Sequence, residues 1–224
     1  NMTRWDWAQD LFEWFEYYLQ GRGSQPEYTA QIQRSDGEWR VEDTWPPIDS
    51  EDYLFDLGDC GNDGAFTGGL PVIGGGAPVV GGGQTVTVEC PEINPDFPMH
   101  ISGLVTLHLS AVPTFDGGQI FVEMQNMETG VRIGHATMDV RYHEGGYEPQ
   151  TVFPGQEITM MMEFQAIDAI VKPGQGIRFI LSDTGEDYLA PACGSACTVH
   201  VLTSLSEANF PLIERGQKTI LEVP

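Results

Sequence analysis

The chain has 224 residues, 41% of them hydrophobic and 10% aromatic, a composition that supports a folded protein with a sizeable core and argues against disorder. Its 33 acidic residues outnumber 10 basic ones, for a formal net charge of −23, and lysine occurs only at Lys172 and Lys218. That balance argues against nucleic acid and anionic membrane surfaces as partners, because both demand clustered Lys and Arg, and no apolar run reaches the roughly 18 residues of a membrane span.

The first predicted element is a helix over residues 4–20. Ala8, Leu11, Phe12, Phe15, Tyr18 and Leu19 recur at helical spacing and form one apolar face. Trp5, Trp7 and Trp14 widen that face beyond what a surface helix needs, and Gly21 and Gly23 end the element. A face this wide implies packing against something large. Tyr28–Gln33 then reads as an extended strand, Asp36–Arg40 as a turn and Tyr53–Phe55 as a short strand. Residues 48–98 are the least regular. A glycine-rich loop at 58–83, containing GGLPVIGGGAPVVGGG, is too rich in glycine for a packed helix or a firm strand, and Thr85–Cys90 follows as a strand.

From Gly103 to Ser182 the pattern changes to long alternating strands separated by Pro-Gly and Gly-Gly. The blocks are GLVTLHLSAVP, GGQIFVEM, ATMDVRYHEGG, PGQEITMMMEF and AIVKPGQGIRFILSD. Leu107 and Leu109, then Ile177, Phe179 and Leu181, recur at every second position, whereas Phe121 and Met124 require a slip of phase. Thr198–Leu202 and Lys218–Val223 read as two further strands. About ten strands in all suffice for a two-sheet jelly roll.

Cys60, Cys90, Cys193 and Cys197 form neither a CxxC pair nor a zinc-finger spacing. An even count in loop-rich sequence reads as two disulfides, and sequence neighbourhood favours Cys60–Cys90 with Cys193–Cys197 among three connectivities; four separate buried thiols are the alternative. Paired cysteines imply an extracellular or cell-surface setting, with which the Asn1-Met2-Thr3 sequon is compatible.

Catalytic signatures are missing. No Gly-x-Ser-x-Gly elbow occurs, and Ser195 in Cys-Gly-Ser-Ala-Cys lacks the second glycine and the strand–turn–helix setting, so a bracketed turn explains it better. The five histidines are scattered; His108 and His200 alternate with apolar neighbours and point away from the core, and His100, His135 and His143 lie near strand ends. HExxH is absent. Asp52, Asp56, Asp59 and Asp63, with Asp49 and Glu51 beside them, crowd one irregular segment that a calcium ion would suit, though their spacing is not that of an EF-hand and a solvated acidic loop is the simpler expectation. Asp183, Glu186 and Asp187 are a poorer second group. Tyr142, Tyr147, Trp39 and Trp45 could stack on a sugar, or serve as packing aromatics.

Two blocks together carry a family resemblance. The first comprises the aromatic helix, the strand Tyr28–Gln33, the turn Gly37-Glu38-Trp39-Arg40 and Trp45-Pro46-Pro47. In the second, Gly103-Leu104-Val105 opens a strand, Val140-Arg141-Tyr142-His143-Glu144 closes another, and Pro154-Gly155 and Lys172-Pro173-Gly174-Gln175-Gly176-Ile177-Arg178 lead into later ones. In this order they resemble the C-terminal non-catalytic domain of the X-Pro dipeptidyl-peptidase, cocaine esterase and α-amino-acid ester hydrolase family. The chain departs from the family after the glycine-rich segment, where the usual Asp-Gln pair is replaced by Thr85–Cys90 and Pro-rich sequence.

The resemblance implies an all-β, galactose-binding-like jelly-roll sandwich over 28–224, preceded by a helical segment, 1–27, carried over from the end of a hydrolase domain. It further implies that the chain is not catalytic by itself and requires no cofactor. Its partner would be the α/β-hydrolase domain of the same protein, against which Trp5, Trp7, Trp14, Trp39 and Trp45 would pack. There the sandwich would restrict the substrate pocket and support self-association. The alternative is a free-standing carbohydrate-binding or adhesive module, assisted by calcium.

Overall fold

The structure is a computed structural model that describes residues 5–26, 30–60, 79–80, 85–91, 98–183, 185, 188 and 197–213. One helix, α1 (Trp5–Gln20), precedes a hairpin of β1 (Ala30–Gln33) and β2 (Trp39–Glu42). The strands that follow are β3 (Glu51–Asp56), β4 (Val79–Val80), β5 (Val86–Cys90), β6 (Met99–Gly103), β7 (Thr106–Pro113), β8 (Gln119–Asn126) and β9 (Arg132–Asp139). They continue with β10 (Ile158–Glu163), β11 (Ile167–Val171), β12 (Ile177–Ser182), β13 (Val199–Val201) and β14 (Glu207–Leu212).

These strands make an antiparallel sandwich. One sheet has four strands in the order β5-β12-β8-β9; the other has eight, in the order β11-β6-β14-β7-β13-β4, with β10 beside β7 and β3 beside β14. The core lies between them and follows the period of two. Leu107, Leu109 and Ala111 of β7, Met160 and Met162 of β10 and Phe210 of β14 meet Val88, Val122, Met124, Ile177, Phe179 and Leu181 of the smaller sheet. Among the described residues the fold is therefore an all-β sandwich with one α-helix.

Three readings of the strands are corrected. Val140–Glu144 does not close a strand: β9 stops at Asp139, whose carboxylate accepts the Arg141 amide and opens a 3-10 turn at Val140–Tyr142. In β8 there is no slip, because Ile120, Val122 and Met124 face the core in register, while Phe121 is buried on the opposite face beneath His135 and Tyr188. Four strands, β2, β4, β6 and β14, were not apparent from sequence: β2 begins inside the segment read as a turn, and β4 lies in the segment read as a glycine-rich loop. Pro211 in β14 disguises that strand, and it packs so closely on Gly103 (φ +146°) that a Cβ there would lie 3.0 Å from its Cγ. The expected strand Lys218–Val223 lies outside the described residues.

Candidate functional site

The most unusual chemistry lies under the β1–β2 hairpin. Met99 and Ile101 of β6, and Ile167 and Ala169 of β11, fill the core, so the alternate residues His100, Ser102 and Asp168 point to the outer face of the large sheet. That face is not left to water. The hairpin lies over it, and Arg40 of β2 reaches down to donate to Ser102 Oγ at 2.6 Å and to the Asp168 carboxylate, while also bonding Glu42. His100 Nε2 lies 3.0 Å from Asp168 Oδ1, and the Ser102 hydroxyl donates to Asp168 Oδ2 at 2.9 Å. The Trp45 ring sits under the Arg40 guanidinium, 5.8 Å from centroid to carbon.

The hairpin turn adds a second tie. Arg34 donates to Asp36, which lowers the Asp36 pKa and raises that of Arg34. The Ser35 amide donates to the Asp168 carbonyl at 2.8 Å, and the Ile170 amide donates to Ser35 Oγ at 3.4 Å, so the turn caps the free edge of β11. Burial opposes the charge on Asp168, yet the hydrogen bonds from His100 and Arg40 outweigh it and hold the carboxyl below the ordinary carboxylate range.

Ser, His and Asp side chains thus meet, but not as a catalytic triad. A triad needs the serine hydroxyl on the imidazole and the carboxylate on the far ring nitrogen. Here both serine and histidine bond the same aspartate, and Ser102 is fully buried, out of reach of a substrate. The arrangement locks the hairpin to the sheet.

The sequence-predicted residues fall elsewhere. α1 presents Trp7, Leu11, Trp14, Phe15 and Tyr18 half exposed, with Phe12 at 70% and Leu19 at 71% exposure. Trp5 begins the helix, and its side chain lies outside the described residues. Trp39 and Trp45 are half buried on and beside the hairpin, some distance along the chain from the helix. Of the acidic loop, Asp52 and Asp56 belong to β3 and Asp59 to the 3-10 turn Leu57–Asp59, whose first amides Asp56 caps by accepting from Gly58 N at 2.7 Å; Asp63 lies outside the described residues. No group of three or more His, Cys, Asp or Glu side chains converges as a metal site among the described residues. Cys60 and Cys90 are joined as a disulfide. Cys197 is disulfide-bonded as well, and Cys193 lies outside the described residues.

The charged cluster was missed because its members are far apart in sequence: Arg40 and Asp168 are separated by 128 positions. The one local signal is the Arg40–Glu42 spacing at the end of the segment read as a turn, which reads equally well as a solvated pair. Among the described residues no helix is long and apolar enough to cross a membrane.

Residues 96–221 match the model of the X-Pro dipeptidyl-peptidase C-terminal non-catalytic domain. No curated protein matches the sequence. Among solved structures, the chain is similar to an aminopeptidase from the marine sediment archaeon Thaumarchaeota archaeon, with 11% identity and a TM-score of 0.59 over 93% of this chain and 43% of that one. It is similar also to a CocE/NonD family hydrolase from Staphylococcus aureus, at 11% identity and TM-score 0.59 over 94% of this chain and 46% of that one. The chain thus spans less than half the length of those solved chains, and at such identity they show a shared fold. Because the family model covers more than half of the chain, from the Pro-rich segment before β6 to beyond β14, the chain belongs to the family of X-Pro dipeptidyl-peptidase C-terminal non-catalytic domains.

Proposed function

We propose that this chain is the accessory part of a serine hydrolase acting on X-Pro peptides or on small esters and amides, and that it packs against the catalytic α/β-hydrolase domain of the same protein. In this reading residues 1–27 end the hydrolase domain and 28–224 form the sandwich, which narrows the substrate pocket. The observation that carries it is α1. A helix with this many aromatic and aliphatic side chains at 38–71% exposure is an apolar surface built to be covered, since isolated proteins rarely leave so large a patch in water. Its polar residues, Gln9, Asp10, Glu13 and Glu16 among them, lie on the other side, with Gln9 bonding Glu13 along the helix. An extracellular setting fits the disulfide and the acidic composition.

The test uses the helix face in the longer protein that carries both parts. Phe12→Asp with Leu19→Asp changes exposed side chains, so the melting of the 1–224 chain alone moves by no more than about 0.5 kcal/mol. In the longer protein the same pair lowers thermal stability and hydrolysis of an X-Pro chromogenic substrate or a small ester together. Equal behaviour of wild type and variant in the longer protein refutes docking through α1. Turnover by purified 1–224, abolished by a serine-directed inhibitor, refutes the accessory role. Binding of a glycan by 1–224 that a chelator removes would favour the carbohydrate-binding alternative instead.

A further inference from the structure

We propose that the outer face of the four-stranded sheet, β5-β12-β8-β9, binds a neutral, extended oligosaccharide. The core takes Val88, Val122, Met124 and Phe179 of these strands, so their alternate positions turn outward. Register then sets the outward side chains in rows across the sheet. One row runs Glu89, Arg178, Gln125 and Arg132; the next lines up Thr87, Ile180, Glu123 and His135. At a strand spacing of about 4.8 Å, each row spans about 14 Å.

Charge decides the class of ligand. The chain carries 33 acidic against 10 basic residues, yet these two rows set two arginines against two glutamates. Arg178 lies 2.8 Å from Glu89 and Arg132 lies 3.9 Å from Glu123, to which Gln125 Nε2 also donates. The face is therefore neutral while rich in donors and acceptors. An anion would meet both glutamates and a strongly negative chain around them. A cation would have to displace an arginine from its carboxylate. A hydroxyl both donates and accepts, and it fits without breaking either pair, because a paired guanidinium keeps N–H donors and a paired carboxylate keeps lone pairs. The four charged side chains are only 22–43% exposed, so a ligand meets groups that are already largely ordered.

An aromatic step closes one side of the rows. Phe121, outward on β8, is buried because Gly185 and Tyr188 lie over it: a Cβ at Gly185 would be 2.6 Å from its ring, and the Tyr188 ring stands 5.6 Å away. His135 completes the group, 5.7 Å from Phe121 and 5.9 Å from Tyr188. Tyr188 and His135 are half buried, so the step presents aromatic surface beside the row that holds Glu123. A sugar ring needs both kinds of contact, aromatic surface for its C–H groups and charged or amide groups for its hydroxyls. The site requires no metal and does not depend on what covers α1.

The test titrates the whole 224-residue chain with cellohexaose, xylohexaose and mannohexaose, a chelator being present throughout. Calorimetry gives the affinity, and amide shifts in nuclear magnetic resonance give the place. At least one of the three binds with a Kd below about 1 mM, and the shifts concentrate in β8, β9 and β12. Because the ligand is neutral, raising salt to about 0.5 M changes the affinity by less than about twofold. Thr87→Lys puts a long charged side chain at an exposed position of the second row; it weakens binding about tenfold or more and leaves the melting temperature unchanged. Tyr188→Ala removes part of the aromatic step and weakens binding about five- to tenfold. Met161→Lys, on the exposed face of the other sheet, has no effect. The proposal is overturned if none of the three binds below about 1 mM. It is equally overturned if the wild-type shifts map to another face, or if Thr87→Lys binds as the wild type does.

Discussion

Removing the Cys60–Cys90 disulfide tests how far the sandwich relies on a covalent tie between its sheets. Cys60 follows the 3-10 turn after β3, which belongs to the eight-stranded sheet, and Cys90 closes β5 on the edge of the four-stranded sheet. Both are buried, and they are separated by 30 positions. Closing a loop of that length in the unfolded chain removes about 12 cal/mol/K of entropy, or about 3.6 kcal/mol at room temperature. For a protein of this size each kcal/mol shifts the melting temperature by about 2–4 °C, so Cys60→Ala with Cys90→Ala lowers it by about 7–14 °C. Loss of two sulfur atoms from the core acts in the same direction. The double substitution is preferable to a reductant, because Cys197 is also disulfide-bonded and would be reduced with it. Differential scanning calorimetry of both proteins measures the shift. A fall of less than about 3 °C refutes the reasoning, since it would mean that the bond does not restrict the unfolded chain as its span requires.

Two further outcomes follow from single positions. Asp168 titrates below its ordinary value when folded, so its stabilising contribution is present above the unfolded carboxylate pKa of about 3.9 and disappears as pH falls through the lower folded value. Urea unfolding of wild type and Asp168→Asn from pH 7 to pH 2 should therefore show a gap that is constant down to about pH 4 and closes below it; a gap that instead widens with acid contradicts the assignment. Gly103→Ala places a Cβ at φ +146° against Pro211 and costs about 1–3 kcal/mol, measured as a reduced urea midpoint with unchanged slope. An unchanged midpoint would show that β6 and β14 can separate at that crossing without loss.

Much of the architecture could be read one residue at a time. The alternation of Leu107 with Leu109, and of Ile177 with Phe179 and Leu181, is local in sequence, and burial of one strand face is a local property of the pleat. The apolar face of α1 is legible for the same reason: its side chains lie one turn apart whatever surrounds them. β14 was illegible because Pro211 breaks the usual pattern and is tolerated only through its particular neighbours, Gly103 and β3.

Periodicity assigns a residue to a face but is silent about what covers that face. Sequence alone therefore determined the sandwich, its aromatic helix and the absence of a nucleophile elbow; it favoured Cys60–Cys90 among three pairings, and the structure decided it. Tertiary structure decided that Phe121 is buried on the side away from the core, beneath Tyr188 and His135. It also decided that His100, Ser102 and Asp168, outward by period, are enclosed by a hairpin whose Arg40 stands 128 positions from the carboxylate it bonds. Charge partners so distant are brought together only by strand order and register, which depend on the packing of the whole chain rather than on any window of it.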